Sequence, residues 1–474
     1  MHELSPIDAA FLRMETPRTP MHVGGLMIFR LPDPAPSGFL RELLAQLRTT
    51  PFLPPPFTSR LERRGLHRLL PAWVECDHDL DYHIRHSALP YPGGERELGV
   101  LVARLHSHPL DLKRPPWELH LIEGLERNRF ALYFKAHHCA VDGMGAMRLV
   151  RGWLSEDPGE REGPPPWQAR GTSHEQAQAW PEALRHPLRA ARQQWRAARE
   201  LADVLRKLSA PGQAGGVRAA LATPRSLFNR RISSQRRLGT QVLELARIKA
   251  IGEATGATVN DVCLALCGGA IRRYLLERDA LPKKTLIASV PLGLPRADGK
   301  PGNAVAGFVC PLGTSEADPC ARVRLIHEVT TAAKEQLRAM SAEALAQFAL
   351  LGLAPLILGQ MAGVLSYLPP LFNVTVSNVV ASKTPLYLRG AALEALYPMS
   401  ILFDGYALNI TLVGYCDRVA VGFTGCRETI PSLQKLAVYT GAALTEMERA
   451  LRKRRTHPRP QLRVKAAETR ARSP

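Results

Sequence analysis

Apolar and polar positions along the chain sort it into two blocks of mixed strand and helix separated by a different kind of sequence. In the first block, Met21–Phe29 is apolar and predicts a strand after an opening turn or short helix. From Phe39 to Leu47 the apolar residues recur at helical spacing. The proline-rich stretch Pro51–Pro56 reads as a loop, and Asp79–Pro90 reads as extended. Pro92-Gly93-Gly94 closes that segment ahead of a predicted helix from about Glu95 to His106. Trp117–Glu123 and Phe130–Ala136 predict two strands joined by the turn-like Glu126-Arg127-Asn128-Arg129. A helix-like run from Met144 to Leu154 follows.

The second block covers residues 224–448. A helix is predicted from Thr258 to about Leu276, with Asn260 or Asp261 able to cap it. Strands are predicted at Leu286–Pro291, Asn373–Val379, Ala407–Val413 and Val419–Thr424, and Gly302–Pro311 reads as a glycine-bounded loop and strand. No Asp, Glu, Lys or Arg occurs from Ala344 to Ser382. A membrane span needs about 20 mostly apolar residues. Gln347, Pro355, Gln360 and several glycines interrupt this run, which therefore reads as an apolar wall for an acyl chain or an interfacial patch.

Composition adds a domain count. A chain of 474 residues, 45% hydrophobic and 22% charged, is an ordinary folded protein long enough for two cores. Its organisation reads as residues 1–155, a linker or crossover at 156–223, residues 224–448, and a basic, disordered tail at 449–474. The formal charge is +19, and 14 of those charges fall in two segments. One is the tail. The other is a predicted amphipathic helix after Pro187, with Leu188, Trp195, Leu201 and Leu205 on one arc and Arg189, Arg192, Arg196 and Arg199 opposite. Basic appendages on a near-neutral body point to an anionic membrane or lipid-inclusion surface. No zinc-finger, helix-turn-helix or RNP signature argues for nucleic acid. The eight cysteines are scattered without a CxxC, and the N-terminus has no signal-peptide pattern. Both features fit a cytoplasmic protein held peripherally at the inner membrane or on lipid inclusions. Histidines cluster between His78 and His138, yet neither HExxH nor zinc-type spacing appears, so no metal is expected.

The chemistry concentrates where the last predicted strand of the first block, Phe130–Ala136, ends. His137-His138-Cys139-Ala140-Val141-Asp142-Gly143 places an imidazole where a strand hands over to a helix, with Gly143 and Gly145 allowing a sharp turn. Histidine is the side chain best suited to take a proton from a hydroxyl near neutral pH. Asp142 is spaced to orient the imidazole or to brace the turn. Two structural histidines beside an ordinary Asp-Gly turn would be the plainer reading of either half. The full HHxxxDG pattern is that of the CoA-dependent acyltransferase superfamily, which includes chloramphenicol acetyltransferases and peptide-synthetase condensation domains.

Further blocks sharpen the resemblance. Leu4-Ser-Pro-Ile-Asp8, Pro20-Met-His-Val-Gly-Gly25, Pro116-Trp117-Glu118, Thr258-Val-Asn260-Asp261-Val, Gly302-Asn303, Ser377-Asn378 and Asp404-Gly405-Tyr-Ala-Leu-Asn409 stand in the order of one family. The chain resembles the bacterial bifunctional wax ester synthase/acyl-CoA:diacylglycerol acyltransferases from residue 4 to about 431. The resemblance implies an α/β (α+β) fold of two chloramphenicol-acetyltransferase-like domains, with mixed sheets flanked by helices and the active site at their interface. It implies that His138 is the general base, that His137 and Gly143 belong to the same catalytic turn, and that Asp142 is mainly structural. It places Asn260 near the reacting centre. Trp117, Asp261, Gly302, Asn303, Ser377, Asn378, Asp404 and Gly405 are expected on the substrate side. Three departures from the family pattern are visible: Pro115-Pro116-Trp117, Ser377-Asn-Val-Val-Ala-Ser382 and Val290-Pro-Leu-Gly-Leu-Pro-Arg296. The last two bear on substrate preference more than on reaction type.

The expected reaction moves a fatty acyl group from acyl-CoA, a co-substrate and not a cofactor, to a long-chain alcohol or a diacylglycerol. It needs no covalent enzyme intermediate, so Cys139 is not required as a nucleophile. Two rival readings are a condensation-type enzyme fed by a carrier protein and a non-catalytic lipid-inclusion coat protein.

Overall fold

Two six-stranded mixed sheets carry the molecule. The computed structural model describes residues 2–4, 6–49, 57–62, 71–77, 79–141, 143–161, 222–293 and 305–456. The first half runs β1 (His2–Glu3), α1 (Pro6–Met14), β2 (His22–Arg30), α2 (Phe39–Thr49), β3 (Ser59–Glu62), β4 (Ala72–Glu75), α3 (Leu80–His83), β5 (Ile84–Ala88), α4 (Glu95–Ser107), β6 (Trp117–Leu125), β7 (Arg129–His137) and α5 (Gly143–Trp153). The second half opens with β8 (Arg236–Glu244), α6 (Leu245–Thr255), α7 (Val259–Leu276), β9 (Ile287–Gly293) and β10 (Val305–Pro311). It continues with α8 (Pro319–Arg338), α9 (Ala342–Met361), β11 (Val374–Ser382), β12 (Tyr387–Leu388), β13 (Ala391–Met399), β14 (Leu408–Tyr415), β15 (Arg418–Cys426) and α10 (Gln434–Thr456).

The first sheet has the order β12-β13-β2-β7-β6-β5, antiparallel except for β5 beside β6. The second has the order β10-β9-β11-β14-β15-β8, with β11 parallel to both neighbours. The two sheets are not divided where the sequence divides. β13 belongs to the second half of the chain yet pairs with β2, Leu396 opposite Met27 and Leu393 opposite Phe29.

Alternation explains the central hairpin of the first sheet. Phe130, Leu132, Phe134 and Ala136 of β7 pack into a core with Met27, Phe29, Trp117 and α5's Leu149 and Trp153. The intervening Tyr133 and Lys135 point to the opposite face, where they meet His106 and the Leu105 carbonyl of α4. The chain reverses between β6 and β7 where Arg127 and Asn128 adopt left-handed backbone, φ 64° and 54°.

From Val262 to Ile271 α7 is apolar on all sides, and a segment of that kind belongs in a core. Leu264, Leu266, Cys267 and Ile271 are fully enclosed within the second domain. Gly268 permits the closest approach, since a Cβ there would lie 2.1 Å from the Leu312 carbonyl oxygen. Among the described residues no single helix is long and apolar enough to cross a membrane; only α6 and α7 together, bent by 102°, match in length and composition.

Three local readings change. Asp79 caps a single helical turn, Leu80–His83, so the segment to Pro90 is not extended throughout. The N-cap of α7 is Thr258, whose hydroxyl accepts from the Asp261 N–H while the Asp261 carboxylate accepts from the Thr258 N–H. The final helix continues to Thr456, into the basic stretch that begins at Arg449. The basic amphipathic helix predicted after Pro187 lies outside the described residues.

Candidate active site

β7 delivers both histidines of the motif, and they do different things. The His137 N–H donates to the Pro116 carbonyl at 2.9 Å and the His138 N–H to the Met21 carbonyl at 2.8 Å, so the turn is tied to both flanking segments. The His137 side chain is fully buried. Its Nδ1 accepts from the Cys139 N–H at 3.2 Å and contacts the Cys139 thiol at 2.9 Å, which leaves Nε2 as the protonated nitrogen. That Nε2 lies 3.3 Å from the Glu15 carboxylate. His138 is half-buried, and its ring stacks on Phe11 of α1, centroids 4.0 Å apart and planes 19° from parallel. His137 is thus locked into the framework, while His138, less buried, presents one ring face to Phe11 and is anchored through its backbone N–H. Cys139 is enclosed with Leu12 and Leu61.

Behind the pair, a polar stripe is buried between the sheet and α4. The Lys135 ammonium donates to the Leu105 and His108 carbonyls and pairs with Glu118 at 3.1 Å. Glu118 also meets His120 at 3.2 Å and Arg85 at 3.3 Å. Burial pushes the Glu118 carboxyl up, but the His120 hydrogen bond and the Lys135 charge outweigh it and bring its pKa to about 2. The Tyr133 hydroxyl and His106 Nδ1 are 2.8 Å apart, and His22 Nε2 bonds to the His106 carbonyl at 2.9 Å. Burial, with Arg236 and Lys135 nearby, lowers His106 to about 3, and burial likewise lowers His22 and His120. This stripe cross-braces β2, β6, β7 and the end of α4, the elements that set the position of the histidine turn.

The second domain approaches through α5 and β11. Arg151 of α5 donates to the carbonyls of Ala381 and Val380 on β11. On the same strand Ser377 sits opposite Thr411, and exposed Asn378 donates from Nδ2 to Oδ1 of Asn260 at 3.4 Å. Asn260 lies in the first turn of α7 and is half-buried. Its neighbour Asp261 is fully buried and holds Thr330 Oγ1 at 2.6 Å, His327 Nδ1 at 2.8 Å and the Thr258 N–H at 2.9 Å. Burial raises the Asp261 carboxyl, and these hydrogen bonds more than offset it, so its pKa lies below the ordinary value.

The remaining expected residues divide into inward-facing ones and ones not described. Trp117 is buried in the first core, donates to the Phe57 carbonyl at 2.9 Å and stacks on His83. Asp404 is buried, accepting from the Ile232 N–H at 3.0 Å and the Ser366 hydroxyl at 3.1 Å. Gly405 has φ 83°, and a Cβ there would lie 2.9 Å from Ser366 Cα. Gly143 begins α5. Asp142, Gly302 and Asn303 lie outside the described residues. Sequence reasoning did not single out Phe11, Glu15 or His327. Their partners are 127, 122 and 66 positions away in the chain, a proximity that only the β2–β7 register and the α7–α8 packing create.

Comparison with known proteins decides the lineage. The model of the wax ester synthase/diacylglycerol acyltransferase catalytic domain matches residues 4–263, and that of the WS/DGAT C-terminal domain matches residues 301–448. The chain belongs to the wax ester synthase/diacylglycerol acyltransferase family. A Mycobacterium tuberculosis relative named as a diacylglycerol O-acyltransferase is 51% identical over 450 residues, covering 95% of this chain and 99% of its own. The O-acyltransferase WSD of Acinetobacter baylyi is 37% identical over 454 residues, covering 93% and 95%. The solved wax ester synthase/diacylglycerol acyltransferase from Marinobacter aquaeolei VT8 superposes with a TM-score of 0.76 at 39% identity, over 95% of this chain and 100% of that one. The first condensation domain of the CDA synthetase, 18% identical with a TM-score of 0.56, over 95% of this chain and 96% of its own, shares the fold alone. The α/β architecture of two domains with helix-flanked mixed sheets is that of this group.

Proposed function

We propose that this member of the family transfers a fatty acyl group from acyl-CoA to the hydroxyl of a long-chain alcohol or a diacylglycerol, with His138 as general base. The observation that carries the reading is His138 itself, half-buried at the end of β7 and stacked on Phe11. His138 takes the hydroxyl proton as that oxygen attacks the thioester carbonyl, forming the new C–O bond. The tetrahedral oxyanion needs a donor. Asn260 suits that role, because Asn378 occupies its Oδ1 and leaves its own NH2 to donate. Collapse of the intermediate breaks the C–S bond, and the imidazolium returns its proton to the CoA sulfur. A thiol of pKa about 8.5 leaves readily, so the chain supplies a base and an oxyanion donor and needs no nucleophile of its own.

Ser377 and Asn378 are proposed to line the substrate side of this cleft. Trp117, Asp261, Asp404 and Gly405 are proposed to act from behind it, since each is tied into the framework. The acceptors are lipids, and a peripheral position at a lipid surface follows from that chemistry. The basic charge of residues 185–207 and 449–474 supports it.

The test is thiol release from a long-chain acyl-CoA with hexadecanol or a diacylglycerol as acceptor, wild type against His138→Ala. Acceptor-dependent release that the substitution abolishes is expected. Acceptor-independent hydrolysis, or turnover that survives in a folded His138→Ala protein, overturns the proposal. Ester formation from an acyl-carrier protein but not from acyl-CoA would favour the condensation-type alternative.

A further inference from the structure

α9 is built inside out. Its polar Gln360 is buried, while Leu351 is 54% exposed and Leu358 64% exposed. The Gln360 amide donates to the Met14 carbonyl at 3.2 Å and to the Thr19 hydroxyl at 2.8 Å, and its carbonyl accepts from the Asp404 N–H at 3.1 Å. Leu356 on the inner side packs with Ile287, Leu365, Phe372 and Tyr406. Every exposed residue from Leu351 to Pro369 is apolar or tyrosine, Leu351, Leu358, Met361, Val364, Tyr367 and Leu368 being the largest. These residues come from the end of α9 and the tight turn Leu365–Tyr367 that follows it, so they form one face. An apolar face of this extent in water marks an interaction site.

The margin of the face identifies what covers it. Exposed Arg225 donates to the carbonyls of Tyr367 and Leu368 at 2.7 and 2.9 Å. Arg18 and Arg231 stand beside buried Asp404, which holds Ser366 of the same turn. No carboxylate occurs between Ala344 and Ser382. An apolar centre with a rim of guanidinium groups complements a phospholipid surface, whose acyl region lies beneath a layer of phosphates. A protein partner would more often supply, and ask for, charges of both signs.

The position of the face relative to His138 gives the contact a purpose. Gln360 fastens α9 to the segment that follows α1, and α1 carries Phe11, on which His138 stacks. We propose that the outer face of α9 and the Leu365–Tyr367 turn is a docking surface for a phospholipid monolayer or bilayer leaflet, opening the site to acceptors dissolved in it. The purpose, though not the contact, rests on the acyl-transfer reading. The contact is dominated by apolar insertion, so it persists on neutral lipid and at high salt.

The experiment is sedimentation of the full chain with phosphatidylcholine vesicles at low and high salt, without substrate. Wild type is expected to bind at both. Leu358→Glu with Tyr367→Glu should weaken binding by roughly tenfold or more, the scale of one large apolar side chain transferred out of water. As a milder variant, Leu358→Trp should keep binding and add a vesicle-dependent blue shift to the wild-type emission. Turnover of a soluble short-chain alcohol and acyl-CoA should be the same in all three proteins. Unchanged binding of the double variant, or no shift from Leu358→Trp, overturns the proposal. So does a wild-type dimer that Leu358→Glu dissociates, which would assign the face to a second copy. Because binding is read without substrate, absent turnover with intact binding would count against the acyl-transfer reading alone.

Discussion

Glu15 faces the protonated nitrogen of His137 across 3.3 Å, and both groups are shielded from bulk water. The same carboxylate reaches the Met21 N–H at 3.5 Å, one residue before β2. One side chain therefore ties the end of α1 to the start of β2 and to the last residue of β7. Glu15→Ala is expected to lower kcat by about tenfold or more, the scale of a hydrogen bond to a charged group, with little change in KM. Glu15→Gln should recover a substantial part of the loss, because its amide oxygen can still accept from the Met21 N–H. Steady-state kinetics on the two variants check this. Equal damage from both would mean that the negative charge, not the acceptor, matters.

His138→Ala should reduce acyl transfer by at least ~10²-fold, the usual contribution of a positioned general base. Phe11→Ala should give a smaller loss confined mainly to kcat, since it removes the stacking partner and keeps the imidazole. The split between the two is read from turnover at saturating acceptor, with circular dichroism as the folding control.

The buried stripe under α4 predicts acid sensitivity. His22, His106 and His120 have folded pKa values below their ordinary 6.5, so the unfolded chain binds protons first as pH falls. Their contribution to stability is full above about 6.5 and declines from there, for His106 down to about 3. Glu118, at about 2 against an ordinary 4.5, has the same sign and adds its loss between those values. Thermal unfolding should therefore move to lower temperature progressively below pH 6.5. His106→Gln should flatten the upper part of that dependence; an unchanged slope would disprove its part in it.

Asp261 is expected to act through Asn260 and not on substrate. Its carboxylate is spent on Thr258, Thr330 and His327. His327→Ala should lower Tm by a few degrees and reduce kcat, and His327→Asn, whose amide can donate along the same direction, should restore part of both. A His327→Ala protein with full activity and an unshifted Tm would show that α8 does not brace the Asn260 turn.

The charge of the two basic segments predicts a second, salt-sensitive tether. Each Lys or Arg close to an anionic surface is worth about 1 kcal/mol and is screened by salt. Removing residues 457–474, or neutralising Arg189, Arg192, Arg196 and Arg199, should weaken binding to anionic vesicles at low salt. Sedimentation on neutral vesicles at high salt should not distinguish these variants from wild type.

The sequence was most readable where one physical rule acted alone. The aromatic-rich run marked β7 to within a residue at each end, the helix opened by Pro92-Gly93-Gly94 was read to within a residue of Glu95–Ser107, and the apolar periodicity of Phe39–Leu47 stopped two residues short of the helix end at Thr49. The HHxxxDG turn was legible because its chemistry is contiguous in the chain. β8 and β13 were not picked out, since Arg236–Glu244 alternates weakly and Ala391–Met399 carries alanines and a proline. α9 was read only as an apolar wall or patch, because Pro355 and the glycines hide a helix that tertiary packing nevertheless forms. Glu15, Phe11 and His327 had no local signal. Their roles come from contacts between elements far apart in sequence.

Because β13 lies against β2, the polypeptide crosses between its two sheets more than once. A protease cut between Arg161 and Ala222 would therefore yield fragments that stay associated, since Leu393, Leu396 and Met399 of one would remain hydrogen-bonded along the edge strand of the other. The fragments could be expressed separately and would reassemble only if the late fragment donated its strand to the early one. Such an arrangement rules out a wide hinge opening of the halves. An acyl chain that reaches the histidine turn is then expected to pass by movement of side chains and surface segments, with the β13–β2 ladder intact.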